Sequence, residues 1–128
     1  MRGLLDTSVF IADEQGRELD PDQLPREAGV SIVTVAELLL GVHLARSEAE
    51  RARRLATVRT VESSFVPLPI DEAVASVFAQ LVAEARQAGR RPRVQDCWIA
   101  ATAQAHGAVL YTQDADFDDI PGVDVVRV

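Results

Sequence analysis

Lysine is missing from this chain; all 13 basic residues are arginine. Against 20 acidic residues they leave a formal net charge of −7. An evenly acidic surface would repel a phosphate backbone, so any contact with nucleic acid has to come from local clusters of arginine. Cysteine is nearly absent too. Cys97 stands alone, which excludes a disulfide framework within the chain and fits a reducing, cytoplasmic setting. Long apolar runs are lacking. The longest, residues 29–45, is broken by Ser31, Thr34, Glu37 and His43, which is too short and too polar for a membrane span. The start, Met1-Arg2-Gly3, is followed by only two apolar residues before Asp6, so no signal peptide is expected. The only histidines, His43 and His106, have no second ligand at metal spacing and read as structural.

What is present is a well-mixed chain of 128 residues with 48% apolar content. That predicts one domain over residues 1–128 with a sizeable core, and argues against disorder. Eight of the 13 arginines fall into two groups, Arg51, Arg53, Arg54 and Arg59, then Arg86, Arg90, Arg91 and Arg93. A solvated helix face accounts for such groups. Guanidinium is also well suited to phosphate.

Residues 2–5 are short and mostly apolar and predict a first strand. It ends at Asp6-Thr7-Ser8, before a helical turn. Residues 13–29 carry Pro and Gly and read as loop, with room for a short helix. The β-branched run at 30–33 predicts a second strand. Thr34 and Glu37 follow with the spacing of a capping box, opening a leucine-rich helix. A charged amphipathic helix is expected over 47–62, capped by Ser47, with Leu55, Val58 and Val61 inward. Residues 65–69 read as an extended edge strand, because Pro67 and Pro69 cannot donate to a ladder. Asp71 caps a long helix over 72–88. A basic loop, residues 89–93, leads into a helix whose buried face is Ile99, Ala100 and Ala103, spaced three, four and seven from Asp96. Gly107 ends it. Residues 108–111 are a buried strand, an acidic turn follows at 114–119, and 123–128 is a last edge strand. The predicted order is β-α-β-α-α-β-α-α-β-α-β, a three-layer α/β/α domain around a mainly parallel sheet.

Four acids share one context in this layout. Asp6, Glu37, Asp96 and Asp114 fall at strand ends or in first helical turns. Each alone is an ordinary cap. Together they would meet at the carboxyl edge of one sheet, where α/β folds build sites. Like charges that close repel unless a cation neutralises them. An oxygen-only ligand set selects Mg²⁺, with Mn²⁺ as the alternative, over zinc. Such a site suits phosphoryl transfer to water. Thr7, Ser8 and Thr112 stand beside the acids as auxiliary groups for water or phosphate oxygens, and Arg90, Arg91 and Arg93 are candidate RNA contacts.

The segments Leu4-Leu5-Asp6-Thr7-Ser8-Val9, Thr34-Val35-Ala36-Glu37-Leu38, Asp96-Cys97-Trp98-Ile99-Ala100-Ala101-Thr102-Ala103 and Thr112-Gln113-Asp114-Ala115-Asp116-Phe117 resemble the four acidic motifs of the PIN domain, and more narrowly of VapC, the ribonuclease toxin of VapBC toxin–antitoxin pairs. The resemblance covers the whole chain, in order. It implies a metal-dependent endoribonuclease with Asp6, Glu37, Asp96 and Asp114 as catalytic acids. It also implies metal ligation by Asp6, Asp96, Asp114 and the further acid Asp116. A homodimer, an RNA substrate and a VapB-type antitoxin are implied as partners. The segment 38–44 and Trp98 are candidates for groove or dimer contacts, or for core.

Two other acidic-site folds fit less well. A receiver-type phospho-acceptor domain needs an acid pair at the first strand and a late lysine, and there is no lysine. A haloacid-dehalogenase-type phosphatase needs an acid two residues after Asp6, where Ser8 stands. A PIN-like module that only binds protein is the non-enzymatic alternative. Function rests on the site rather than on the fold.

Overall fold

Alternating side chains on two central strands divide the core. Strand β1 (Arg2–Leu5) turns Leu4 to one face and Leu5 to the other; β3 (Val109–Thr112) does the same with Leu110 and Tyr111. The computed structural model describes residues 2–128. Four strands pair in the order β2-β1-β3-β4, with β2 at Glu27–Gly29 and β4 at Val125–Arg127. All pairings are parallel, in the register Gly3↔Ala28, Leu4↔Leu110 and Tyr111↔Val126.

Five helices cover the two faces. Helices α1 (Thr7–Glu14), α2 (Ile32–His43) and α3 (Glu48–Ser64) pack with Leu5 and Tyr111 through Phe10, Val35, Leu38, Val58 and Val61. Helices α4 (Glu72–Gln87) and α5 (Val94–Ala105) pack with Leu4 and Leu110 through Val74, Leu81, Ile99, Ala100 and Ala103. The expected α/β/α layering therefore stands, and so do the caps at Ser47 and Asp71. Trp98 stacks on Phe78 in the α4–α5 seam, with ring centroids 3.6 Å apart. Its main contact is thus internal.

The second strand differs from the expectation. It occupies Glu27–Gly29, inside the stretch read as loop, because those residues lie level with β1. Within 30–33, Ile32 and Val33 already belong to α2. Ser31 caps that helix, its hydroxyl accepting from the Val33 amide at 3.0 Å. The capping box at Thr34 and Glu37 is accordingly not formed. Val30 and Ser31 are extended but pair with Leu68: the Leu68 amide donates to the Val30 carbonyl at 2.8 Å, and Ile32 to Leu68 at 2.9 Å. Residues 65–69 thus supply one bridge and no sheet strand.

This topology positions the site. From β1 the chain crosses to β2 on one side and later to β3 on the other. The carboxyl ends of β1 and β3 therefore flank the switch point of the sheet, where a crevice opens.

Candidate active site

Asp6 leaves the end of β1 and caps α1; it is buried, at 4% exposure. Its Oδ2 accepts from the Ser8 hydroxyl at 2.6 Å and from the Thr112 hydroxyl at 2.9 Å. Those hydroxyls accept in turn from backbone amides: Ser8 from Gln113 at 3.0 Å, Thr112 from Asp114 at 2.9 Å. A carboxylate only accepts, so both hydroxyls donate to Asp6, and their oxygens lie 3.1 Å from each other. Ser8 and Thr112 hence orient the carboxylate and tie the ends of β1 and β3 together. Their protons are committed to Asp6 rather than offered to a substrate. Asp6 Oδ1 has no hydrogen-bond partner among the described residues, and no buried side-chain oxygen there lacks one, so Oδ1 faces solvent.

Glu37 lies in the second turn of α2, half-buried. Thr7 donates to its Oε1 at 2.9 Å, and Thr7 Oγ1 lies 3.0 Å from the Thr34 hydroxyl. Thr34 is fully buried and belongs to the support of the site. Its proximity to Glu37 in sequence masked that role. The signal was Ser31, a better cap placed three residues earlier.

Asp96 sits in the first turn of α5, 3% exposed. Asp114 follows β3 and caps a short 3-10 helix, accepting from the Asp116 amide at 2.9 Å. One carboxylate oxygen from each of Asp96, Asp114 and Asp116 lies within 4.8 Å of the other two. Ligand oxygens around one octahedral Mg²⁺ stand ~3–4 Å apart, so the spacing of this trio suits a shared divalent ion. All three donors are hard carboxylate oxygens, as that ion requires. Asp6 stands outside the trio but close enough to act on its field.

Burial, with a smaller share from like charges, shows in the acid–base properties. Burial pushes the Asp96 carboxyl above its ordinary range; Arg93 opposes this through a hydrogen bond and its charge, and Asp6 and Asp114 add to it. Burial also raises Glu37, opposed by the Thr7 hydrogen bond and reinforced by Asp6 and Asp96. A carboxyl raised in the fold stabilises it while protonated, below the unfolded value. That contribution is lost as pH rises through the folded value, so near neutrality the ion-free protein carries a cost for both charges. Glu37→Gln, which keeps an acceptor for Thr7, should raise Tm in chelator at neutral pH by about 1–3 °C. A lower Tm would show that the Glu37 charge supports the fold.

Arg93, expected at RNA, lies on the acids. Its Nε donates to Asp96 Oδ2 at 3.1 Å, and its Nη2 stands 3.6 Å from Asp114 Oδ2. Arg90 and Arg91 are exposed and, with Arg93, Asp116 and Asp119, line an adjoining cavity of about 440 Å³. In the other arginine group, Arg51 pairs with Glu48 on an exposed helix face, whereas half-buried Arg54 pairs with Glu50 and donates to the Gly41 carbonyl of α2 at 2.6 Å.

The model of the PIN domain matches residues 3–123. Over 128 residues the chain is 48% identical to Ribonuclease VapC4 of Mycobacterium tuberculosis, covering 99% of this chain and 97% of that one. The chain belongs to the PIN domain family, in its VapC branch. A further relative is Ribonuclease VapC5 of the same organism, 43% identical over 98% of this chain and 95% of its own length. Among solved structures, this PIN domain superposes on a member of the VapBC family of toxin-antitoxin systems, VapBC-5 from Mycobacterium tuberculosis, with a TM-score of 0.91. That likeness spans 99% of this chain and 98% of the other at 40% identity. FitAcB from Neisseria gonorrhoeae gives a TM-score of 0.77 at 31% identity, over 98% and 96% of the two chains.

Proposed function

We propose that this PIN domain is a Mg²⁺- or Mn²⁺-dependent endoribonuclease and the toxin of a toxin–antitoxin pair. One observation carries the reading: the strand-end acids converge, with Asp96, Asp114 and Asp116 near enough to share one cation and Asp6 and Glu37 beside them. The names of the VapC relatives supply the substrate class. Asp96, Asp114 and Asp116 would hold a divalent ion, which would supply charge neutralisation at the phosphate and a more acidic water.

The chain's own groups do the rest. Asp6, fixed by Ser8 and Thr112, presents Oδ1 to the cleft. Glu37, its carboxyl raised by burial and set beside Asp6 and Asp96, is the group to take a proton from water. That water adds to phosphorus, one phosphodiester P–O bond breaks, and the departing oxygen takes up a proton. Arg90 and Arg91 lie beside the cleft as contacts for the flanking RNA backbone.

The partner is an antitoxin, and the exposed apolar side chains at the end of α2, Leu39, Leu40 and the C-cap Leu44, are the surface offered to it or to a second copy. No helix among the described residues is long and apolar enough to cross a membrane. The single buried thiol, Cys97, suits the cytoplasm.

The test is cleavage of a mixed structured RNA pool by antitoxin-free protein, with Mg²⁺, with Mn²⁺ and with EDTA. Cutting that needs the ion is the expected result, and mapped ends identify the target. A folded, ion-loaded protein that cuts nothing favours the module that only binds protein.

A further inference from the structure

We propose that Arg93 is a built-in stand-in for the cation: its guanidinium holds the ion-free site together and must be displaced from Asp96 and Asp114 when a divalent ion enters. This rests on the reading of those acids as the cation site. Three observations carry it. Arg93 is the last residue before α5, three positions from Asp96, and its Nε and Nη2 straddle the two Asp96 oxygens at 3.1 and 3.4 Å. The same Nη2 reaches Asp114 Oδ2 at 3.6 Å, so one cation spans two members of the acid trio. The field of Asp116, the third member, also reaches Arg93, as the field of Arg93 reaches Glu37.

The contact is built to be broken. The Arg93 side chain is 61% exposed, whereas that of Asp96 is 4% exposed. An ion pair whose cation faces solvent is held weakly, and a doubly charged ion on the same oxygens outcompetes it. Without the guanidinium, buried like charges would face one another uncompensated, which is costly. Arg93 thus keeps the acids in place while the ion is absent. Displaced, it would remain in the cavity that it lines with Arg90 and Arg91.

The consequence is a split that no purely structural arginine would show. Arg93→Gln should bind Mn²⁺ about three- to tenfold more tightly than wild type, because a competing positive charge is gone. Its Tm in chelator should fall, while the rise in Tm on adding Mn²⁺ should grow. Arg90→Gln, on the same loop, should change Mn²⁺ affinity less than about twofold. Mn²⁺ binding by electron paramagnetic resonance and Tm with and without the ion give both readouts. Unchanged or weaker Mn²⁺ binding by Arg93→Gln would overturn the inference while leaving the cation site standing. Equal tightening by both variants would also overturn it, showing a diffuse effect of loop charge. Wild type that takes up no Mn²⁺ at all would overturn the inference together with the reading of the acids.

Discussion

Asp96→Asn should lower RNA cleavage by about a thousandfold or more and leave the fold intact. The variant keeps the shape of the side chain and the first-turn position on α5. It removes the charge on the most buried of the three acids that could share an ion. Loss of about 4 kcal/mol of transition-state stabilisation corresponds to that fall in rate. Stability separates this role from a structural one. Burial outweighs Arg93 in setting the protonation of Asp96, so its charge is a net cost to the ion-free fold. The Tm of Asp96→Asn in chelator should therefore match or exceed that of wild type. Rate assays beside thermal melts of the same preparation check both halves. A variant that melts early and cuts slowly would make Asp96 a structural carboxylate.

Gly3→Ala should be the most damaging single-methyl change in the sheet. Gly3 lies on β1, paired on both sides, with Ala28 and Val109. An added Cβ would sit 2.6 Å from the Pro25 ring and 2.6 Å from the Tyr111 ring. The Pro25 ring is rigid, and Tyr111 is buried in the α1–α3 side of the core. Neither can withdraw without shifting β2 or β3 relative to β1. Overpacking of this kind costs about 2–3 kcal/mol, a fall in Tm of roughly 10 °C. Activity should fall as well, since β1 and β3 carry Asp6 and Asp114 to the same edge. A melt within a degree of wild type would mean that the sheet yields far more easily than its packing implies.

The acids were legible because their positions obey simple rules. Asp6 and Asp114 each follow a short apolar strand, and Asp96 opens a helix with a clear buried face. A parallel sheet brings such positions to one edge whatever the details of the loops. The second strand was less legible. Val30, Ile32 and Val33 have strand propensity, but Ser31 between them caps a helix, and pairing with β1 selects Glu27–Gly29. Tertiary register overrode local propensity there. Thr7, Ser8 and Thr112 were legible beside the acids, but their partners were not: Thr7 meets Thr34 across 27 positions, and Thr112 reaches Asp6 across 106. Arg93 shows the same limit. A loop rich in arginine announces positive charge near the cleft; only the structure puts one guanidinium on Asp96 and Asp114 while its neighbours stay in solvent.

The most direct test joins ion occupancy to chemistry. A single RNA substrate would be incubated with antitoxin-free protein stripped of metal, while Mn²⁺ is titrated in. Bound ion would be read by electron paramagnetic resonance and cleavage rate measured on the same samples. The account predicts that the rate rises in step with occupancy and that both are lost in Asp96→Asn. Full cleavage in chelator, or full occupancy with no cleavage of any RNA, would contradict it.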